Sequence, residues 1–268
     1  MPRIDWEDLP IAVRHAVEAR TGPVLKAITA SEGVNSGIAT LLHVPDGEVF
    51  LKGIPSGHGQ VRTQEREAMI NPYVVAVSPR LLWRLETNGW SLLGFEAVRG
   101  RHADFAPGSP DLPRVAAVLR RLSEIPLPDV PLKRLDERFA SYVNDGERTL
   151  LHGDALLHTD CAPHNVLVSD ERALLIDWAW PTAGPAWADP SYLITRLIDA
   201  GHPAHDADRW ARRELPAWAT APRQAVAVFA QACSRLWAEI AANDPQDWKT
   251  RLTQAAAEWA RHTNSTTP

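Results

Sequence analysis

The sequence predicts an α+β fold in which a five-stranded antiparallel sheet with one helix precedes a mostly helical region. Two short turn signals, Asp46-Gly47 and Asn88-Gly89, each separate two strand-like apolar segments, as in β-hairpins. From Asp111 onwards apolar residues recur at helical spacing, and the chain after Pro190 is rich in Ala, Arg and Trp. With 268 residues, the chain is long enough to bury a large core and to form one domain of two lobes.

The elements of the first region follow from these patterns in chain order. Two strands flank a polar loop that contains glycine, Ser31–Gly37, and a third strand follows the first turn signal. A charged, helix-prone segment then precedes the second hairpin. The predicted elements are strands Val24–Ala30, Ile38–Val44 and Glu48–Lys52, a helix at Gln60–Ile70, and strands Leu81–Glu86 and Trp90–Val98.

The second region is predicted to begin where Gly, Pro and Ser cluster, at Arg99–Pro110. We therefore divide the chain into residues 1–98 and 99–268. Apolar residues at helical spacing predict helices at Asp111–Ile125 and Leu132–Val143. The last six residues, Thr263–Pro268, are small and polar, so we expect them to be disordered.

The strongest functional signal is a polar motif in the second region. His158, Asp160 and Asn165 form the pattern H-x-D-x-x-x-x-N, and Asp177 follows twelve residues after Asn165, at the end of an apolar strand. The intervening segments predict a β-hairpin around Ser169–Arg172, which would bring Asn165 and Asp177 together at its open end. Phosphoryl transfer requires such groups, because one carboxylate receives the acceptor hydroxyl while an Asn and a second Asp hold magnesium.

The composition of the chain excludes several classes of protein. The net charge is −5, and no Lys/Arg-rich run indicates a nucleic-acid-binding face. No apolar run is long enough to span a bilayer, and the first residues contain no apolar signal core, so we expect a cytoplasmic protein that does not bind a membrane. Two cysteines, Cys161 and Cys233, provide neither a disulfide framework nor a zinc ribbon. The sequence leaves the oligomeric state open.

The motif residues, with Ile176-Asp177-Trp178 and Asp189-Pro190, resemble the aminoglycoside phosphotransferase family, small-molecule kinases with a protein-kinase-like fold. The resemblance covers most of the chain. It implies a nucleotide-binding amino-terminal lobe, residues 1–98, and a lobe at 99–268 that carries the catalytic loop, the metal site and the acceptor-binding helices. It further implies ATP or GTP as phosphoryl donor, Mg2+, and a small-molecule acceptor.

The resemblance also implies a role for each matching residue. Asp160 orients the acceptor hydroxyl and accepts its proton. Asn165 and Asp177 are catalytic residues that bind magnesium. Asp189 supports the catalytic loop through hydrogen bonds to its backbone, and His158 is a structural residue rather than a base.

Lys52 is one of four lysines in the chain and ends the third predicted strand, where kinases place the lysine that binds phosphate. Such a lysine needs a carboxylate that fixes its direction. Glu65 and Glu67 lie two apart on the predicted helix and therefore on different faces. Because family members commonly show Arg-Glu-Ala here, we choose Glu67 and expect Glu65 to be a solvated charge.

Further nucleotide contacts are expected from backbone groups. The loop Gly33–Gly37 lets the chain approach phosphates closely, so Ser36 and Gly37 are predicted to contact the nucleotide. It lacks the full glycine pattern of protein kinases. The end of the last strand corresponds to the family's hinge, where backbone groups recognise adenine, so Glu96 and Val98 are predicted to contact the base.

A second segment, His152-Gly153-Asp154, is closer to the family's usual His-Gly-Asp than the motif at 158–160. The register excludes it, because the residue five positions after Asp154 is Thr159, a poor magnesium ligand. Asp160 is therefore predicted to be catalytic. The chain departs from the family pattern at Thr159, where Gly is common, and at two further positions, Ala179 and Leu193.

The acceptor is expected to be an aminoglycoside or a related antibiotic, which implies a role in antibiotic resistance; a sugar or amino-alcohol metabolite is the alternative. Eight tryptophans follow Asp177, and their faces suit sugar rings, although each is more simply explained as helix packing. Acidic residues could attract a polycation or could be solvated charges: Asp199, Asp206 and Asp208. We place the acceptor between the Asp160 loop and residues 195–240.

Two other classes of function remain open. A metal-dependent hydrolase would use the dense donor atoms of this region, and the donors are His152, Asp154, His158, Asp160, Cys161 and His164. No known ligand pattern such as H-E-x-x-H accompanies them. A pseudokinase would bind nucleotide without turnover, but the presence of Lys52, Asp160 and Asp177 together argues against it.

Overall fold

The structure is a computed structural model that describes residues 3–30 and 36–265. The chain forms two compact units. The first contains the chain up to Arg101 together with Leu174–Trp180, and the second contains His102–Ala173 and the residues from Pro181 onwards. A single division of the chain at residue 98 therefore misses the second segment of the first unit, which is tied to that unit by the Leu175 N–H donating to the Val77 carbonyl at 2.7 Å.

The first unit contains the predicted five-stranded sheet. Its strand order is β1-β2-β3-β5-β4, and every neighbouring pair is antiparallel. The α+β fold with this sheet is therefore confirmed. The elements are α1 Ile11–Thr21, β1 Lys26–Thr29, β2 Ile38–Val44, β3 Gly47–Pro55, α2 Val61–Val74, β4 Leu81–Thr87 and β5 Trp90–Glu96.

Helix α1 is missing from the sequence prediction, which gave this unit a single helix. Its residues Val13 and Val17 are fully buried and pack with sheet residues such as Leu42 in one core cluster. The sequence does carry a signal for it, since Pro10 stands directly before the helix and Gly22 directly after it, with a positive φ of 76°.

Lys52 lies within the central strand rather than at its end. Strand β3 continues to Pro55, and Lys52 pairs with Ala39 on β2 and Leu93 on β5. Hydrogen bonding to both neighbours fixes the backbone at this position, so the lysine side chain starts from a rigid base.

The remainder of the chain contains short strands and most of the helices. The strands are β6 Arg101–His102, β7 Lys133–Arg134, β8 Ala155–Leu157, β9 Val166–Val168, β10 Ala173–Leu175 and β11 Thr182–Gly184. The helices are α3 Leu112–Ser123, α4 Leu135–Arg138, α5 Asp145–Arg148, α6 Ala188–Asp199, α7 Ala204–Glu214, α8 Pro216–Ala219, α9 Arg223–Asn243 and α10 Asp247–Ser265. Helices α9 and α10 pack against each other, and α10 also packs against α6.

Two sequence predictions for this region are wrong. The helix predicted at Leu132–Val143 is a single turn, α4, because Lys133–Arg134 instead pairs in parallel with β11. The expected disorder of the last six residues fails for Thr263–Ser265, which belong to α10, with Thr263 buried. Thr266–Pro268 lie outside the described residues.

The predicted hairpin turn after Asn165 is present. The Ser169 N–H donates to the Arg172 carbonyl at 2.9 Å, between the ends of β9 and β10. Within residues 3–30 and 36–265, none of the helices combines the length and the apolar character that a membrane span requires.

Candidate active site

The first unit places Lys52 between two carboxylates. Its ammonium donates to Glu67 Oε2 and to Asp177 Oδ1, each at 2.7 Å. Glu67 lies on α2 and is buried, whereas Glu65 is half exposed and lies 3.8 Å from Arg84. Of the two candidate carboxylates, the structure thus pairs Glu67 with Lys52.

Burial alone would lower the pKa of the Lys52 ammonium, but the charges of Asp177 and Glu67 and their hydrogen bonds outweigh it and raise the pKa above its ordinary value. Lys52 is therefore a fixed positive charge. Burial raises the pKa of the Glu67 carboxyl, and the neighbouring Lys52 charge opposes this effect. A cation held in a fixed direction within a sheet is suited to bind phosphate oxygens.

Asp177, the predicted magnesium ligand, has a backbone conformation that is uncommon for a residue other than glycine. Its φ is 60°, in the left-handed region, which Asp tolerates better than most residues because its short polar side chain can bond locally. The side chain is 27% exposed. A ligand can therefore reach this carboxylate, although one oxygen is bonded to Lys52.

The second unit carries residues 158–165, which the sequence predicts to be the catalytic loop. Asn165 Nδ2 donates to the Asp160 carboxylate at 2.9 Å and to the Asp160 carbonyl at 3.1 Å. A third residue, Arg196 on α6, donates from Nη2 to the other carboxylate oxygen of Asp160 at 3.1 Å. The Asp160 side chain is held at both oxygens, yet it remains 37% exposed, so an acceptor can approach it.

Asp189 fixes the backbone directly before Asp160. Its two oxygens accept the N–H groups of His158 and Thr159, each at 2.8 Å. Burial raises the pKa of this carboxyl, while the nearby His158 and the two backbone bonds oppose that effect. His158 is buried, and its Nδ1 accepts the Asp160 N–H at 3.3 Å. Both residues therefore contact the loop as the sequence analysis expected of supporting residues.

Thr159 adopts the left-handed conformation, with a φ of 65°. This conformation is strained for a β-branched residue, whereas glycine would adopt it without strain. The Thr159 hydroxyl accepts a hydrogen bond from Arg138 Nη1 at 2.8 Å, and the same nitrogen donates to Thr182 at 2.6 Å. Arg138 and Asp189 together hold a conformation that the backbone alone disfavours.

The other predicted nucleotide contacts are described in part. Gly33–Asn35 lie outside the described residues; Ser36 and Gly37 are buried directly before β2. At the predicted hinge, the Glu96 N–H donates to the Arg80 carbonyl at 2.9 Å, so this donor is already used. The Val98 N–H makes no hydrogen bond to another described residue and is available to a ligand.

The side chains that a metal-dependent hydrolase would use as ligands have different contacts and surroundings in the structure. His152 Nε2 lies 3.2 Å from Asp136, while the Asp154 side chain is 84% exposed and lies 3.5 Å from Arg134. Cys161 is buried, which raises the pKa of its thiol well above the ordinary value. In the part of the chain that the structure describes, no three His, Cys, Asp or Glu side chains could together hold a metal ion.

The sequence analysis did not identify Arg196 or Arg138. Arg196 follows Asp189 by seven residues on α6, which is two helical turns, so both face the catalytic loop. That spacing is the signal that could have identified it. Arg138 lies in the segment whose helix was predicted too long, and nothing in the local sequence connects it with Thr159.

Comparison with known proteins supports the fold. No protein-family model matches the chain, and no curated protein matches it. Aminoglycoside phosphotransferase APH(4)-Ia, at 13% sequence identity, covers 96% of this chain and 99% of its own length with a TM-score of 0.65. The chain has the fold of the aminoglycoside phosphotransferases.

Two further structures share this aminoglycoside phosphotransferase fold. Choline kinase LicA from Streptococcus pneumoniae aligns at 11% identity over 93% of this chain and 98% of its own, with a TM-score of 0.59. Spectinomycin phosphotransferase APH(9)-Ia, in complex with ADP and spectinomycin, aligns at 13% identity over 100% of this chain and 96% of its own, with a TM-score of 0.52. At these identities the likeness establishes the fold alone.

Proposed function

We propose that the chain is a small-molecule kinase of the aminoglycoside phosphotransferase family, which transfers the γ-phosphoryl group of ATP to a hydroxyl. The observation that carries this proposal is the Lys52 ammonium held by Glu67 and Asp177 in a unit with this fold. Proteins with the fold are named as phosphotransferases or kinases, and two of them are crystallised with ADP. Residues 1–98 bind the nucleotide, and 99–268 carry the catalytic loop, the metal site and the acceptor helices.

In this reaction Lys52 binds phosphate oxygens of the nucleotide, and Glu67 keeps its direction. Ser36 and Gly37 contact the phosphates, while the hinge groups at Glu96 and Val98 contact the base. Because the Glu96 N–H is used within the protein, the Val98 N–H is the donor that we assign to adenine.

Asp160 accepts a hydrogen bond from the acceptor hydroxyl and orients it for in-line attack. A bond forms between the hydroxyl oxygen and the γ-phosphorus, the bond from that phosphorus to the β,γ-bridging oxygen breaks, and ADP leaves. The hydroxyl proton passes to Asp160 late in the step, since the transition state is loose and positioning dominates.

We assign magnesium binding to Asn165 and Asp177 on the chemistry of their side chains. Asn165 uses its NH2 group on Asp160, and its amide oxygen accepts no hydrogen bond from another described residue, so that oxygen is available. Together with the Asp177 carboxylate it supplies the oxygen ligands that Mg2+ prefers. A bound magnesium ion would neutralise charge on the phosphates.

For the acceptor we propose an aminoglycoside or a related antibiotic, because hygromycin B and spectinomycin are bound in structures with this fold. A choline kinase shares the fold, which keeps an amino-alcohol metabolite as the second candidate. If an antibiotic is the acceptor, the protein confers resistance to it.

The decisive experiment offers a panel of hydroxylated and aminated acceptors with ATP or GTP, in the presence of Mg2+, and measures product mass. We expect one acceptor to gain one phosphoryl group, and the rate of product formation to fall by about 10²–10⁴-fold with Asp160→Asn. Nucleotide binding without any phosphorylated acceptor would instead favour a pseudokinase. Stoichiometric zinc and hydrolysed products would favour the hydrolase.

A further inference from the structure

The proposed function leaves one contact of the catalytic loop unexplained. This is the contact of Asp160 with Arg196, which lies on α6. Its guanidinium donates to Asp160 at 3.1 Å, and its central carbon lies 5.5 Å from the centre of the Trp237 ring on α9. The side chain is only 13% exposed. A planar cation is thus held between the catalytic carboxylate and an aromatic face, next to the place where an acceptor hydroxyl must lie.

The Arg196 guanidinium has more N–H donors than its hydrogen bond to Asp160 uses. Arginine carries several N–H donors and no acceptor, and the bond to Asp160 is the one side-chain hydrogen bond of Arg196 with other described residues. Some polar side-chain atoms of the described residues are both buried and without a hydrogen-bond partner, and none of these atoms belongs to Arg196. The remaining N–H donors of Arg196 are therefore accessible to solvent. These donors can bind an oxygen atom of the acceptor.

The positive charge of Arg196 would repel an ammonium group on the acceptor. Arg196 already neutralises Asp160, so a cationic acceptor meets a guanidinium beside the carboxylate rather than an unpaired negative charge. Two of the acidic residues considered for a polycation are also engaged elsewhere. Asp208 accepts from Trp218 Nε1 at 2.8 Å and pairs with Arg212 at 3.0 Å, and Asp206 lies 3.8 Å from Arg209.

We propose that Arg196, fixed by Trp237, is a specificity-determining residue that selects an acceptor with an oxygen-bearing group beside the phosphorylated hydroxyl and discriminates against an ammonium there. This inference rests on the proposed kinase function. The selected group is a hydroxyl, carbonyl or carboxylate oxygen. An aminoglycoside satisfies the rule only through a hydroxyl whose neighbours also carry oxygen.

The test uses two rings that differ only in the groups of interest. They are trans-cyclohexane-1,2-diol and trans-2-aminocyclohexanol, the same ring with one of the two hydroxyls replaced by an ammonium group, so that the remaining hydroxyl has no oxygen neighbour. We measure phosphorylation with ATP and Mg2+ by product mass, and binding by saturation-transfer NMR. We expect the diol to be preferred in kcat/KM by about tenfold or more, the value of one hydrogen bond to a charged donor.

Arg196→Gln should reduce this preference to about onefold, because the amide lacks the charge that repels ammonium. The ratio between two acceptors cancels any general loss of activity that follows from a disturbed Asp160. Trp237→Leu should reduce the preference partly, and it decides the matter if Arg196→Gln does not fold. Arg235→Gln is the matched control: this exposed arginine on α9 donates to the Tyr142 carbonyl at 2.6 Å, and its loss should leave the ratio unchanged.

An equal or greater preference for the amino alcohol overturns the inference, as does an unchanged ratio in both Arg196→Gln and Trp237→Leu. Failure of the wild-type protein to bind either ring overturns it as well. Calorimetric titration with AMP-PNP and Mg2+ separates this result from failure of the proposed function. Absent nucleotide binding refutes the kinase itself, whereas normal nucleotide binding with no ring preference refutes the role of Arg196 alone.

Discussion

At the scale of single residues, Thr159 shows how the chain stabilises a strained loop. Thr159→Ala and Thr159→Gly both remove the hydroxyl that accepts from Arg138, but only alanine keeps a Cβ at a φ of 65°. We expect the glycine variant to be more stable than the alanine variant by about 1 kcal/mol, the cost of this conformation for a residue with a side chain. Urea unfolding of both variants measures the difference, and an alanine variant of equal stability would contradict the assigned strain.

Asp160 is the residue on which the assigned chemistry depends most directly. Asp160→Asn keeps the shape of the side chain but cannot accept the hydroxyl proton, so turnover should fall by about 10²–10⁴-fold while nucleotide binding stays intact. Asp154→Asn is the matched control, because this exposed carboxylate belongs to the alternative His-Gly-Asp segment and should be dispensable. If the losses were reversed between the two variants, the base would be Asp154.

At the scale of elements, helix α6 fixes the catalytic loop through its first turn. Asp189→Asn leaves one oxygen for two buried N–H groups, those of His158 and Thr159. We expect a loss of about 1–3 kcal/mol in the free energy of unfolding, the cost of one buried unpaired donor, and reduced turnover. Asp206→Asn, a change of an exposed carboxylate on α7, should change stability by less than about 0.5 kcal/mol. Equal losses in both variants would mean that the loop bonds contribute nothing specific.

Elements were predictable where local sequence determines them. Strand β2, Ile38–Val44, was predicted with the observed bounds because turn signals and apolar residues coincide there. The helix at Leu132–Val143 was wrong because pairing of β7 with β11, fifty residues away in sequence, overrides a helical pattern. The pattern of Leu135 and Phe139 still marked residues that are buried.

The candidate site likewise contains residues that the local sequence identifies and residues that only the packing of distant segments brings together. Asp160 and Asn165 could be found because they belong to one short motif, and their mutual hydrogen bond follows from that spacing. Lys52 and Glu67 required the resemblance to a family, since nothing local links a strand with a helix. Arg196 contacts Asp160 because α6 packs beside the loop, and its spacing of seven residues from Asp189 is the one local signal that could have indicated this contact.

At the scale of the whole molecule, folding and nucleotide binding are linked, because a ligand that binds only the folded chain stabilises it. At a hundredfold excess over Kd the gain is about 2.7 kcal/mol. For a chain of this size that gain corresponds to a rise in Tm of roughly 5–10 °C. We therefore expect AMP-PNP with Mg2+ to raise Tm clearly, and EDTA to remove most of the rise, since in the proposed function Asp177 and Asn165 bind the metal that contacts the nucleotide.

Variants of the two metal residues sharpen this last prediction. Asp177→Ala should abolish the metal-dependent part of the Tm rise, whereas Asn165→Ala should reduce it less, because an amide oxygen is a weaker ligand than a carboxylate. Glu65→Ala, which removes a half-exposed charge on α2, serves as the control and should respond to nucleotide like the wild type. A Tm rise of the same size with and without EDTA, or one that survives Asp177→Ala, would show that magnesium has no part in binding and would remove the basis for assigning these residues to it.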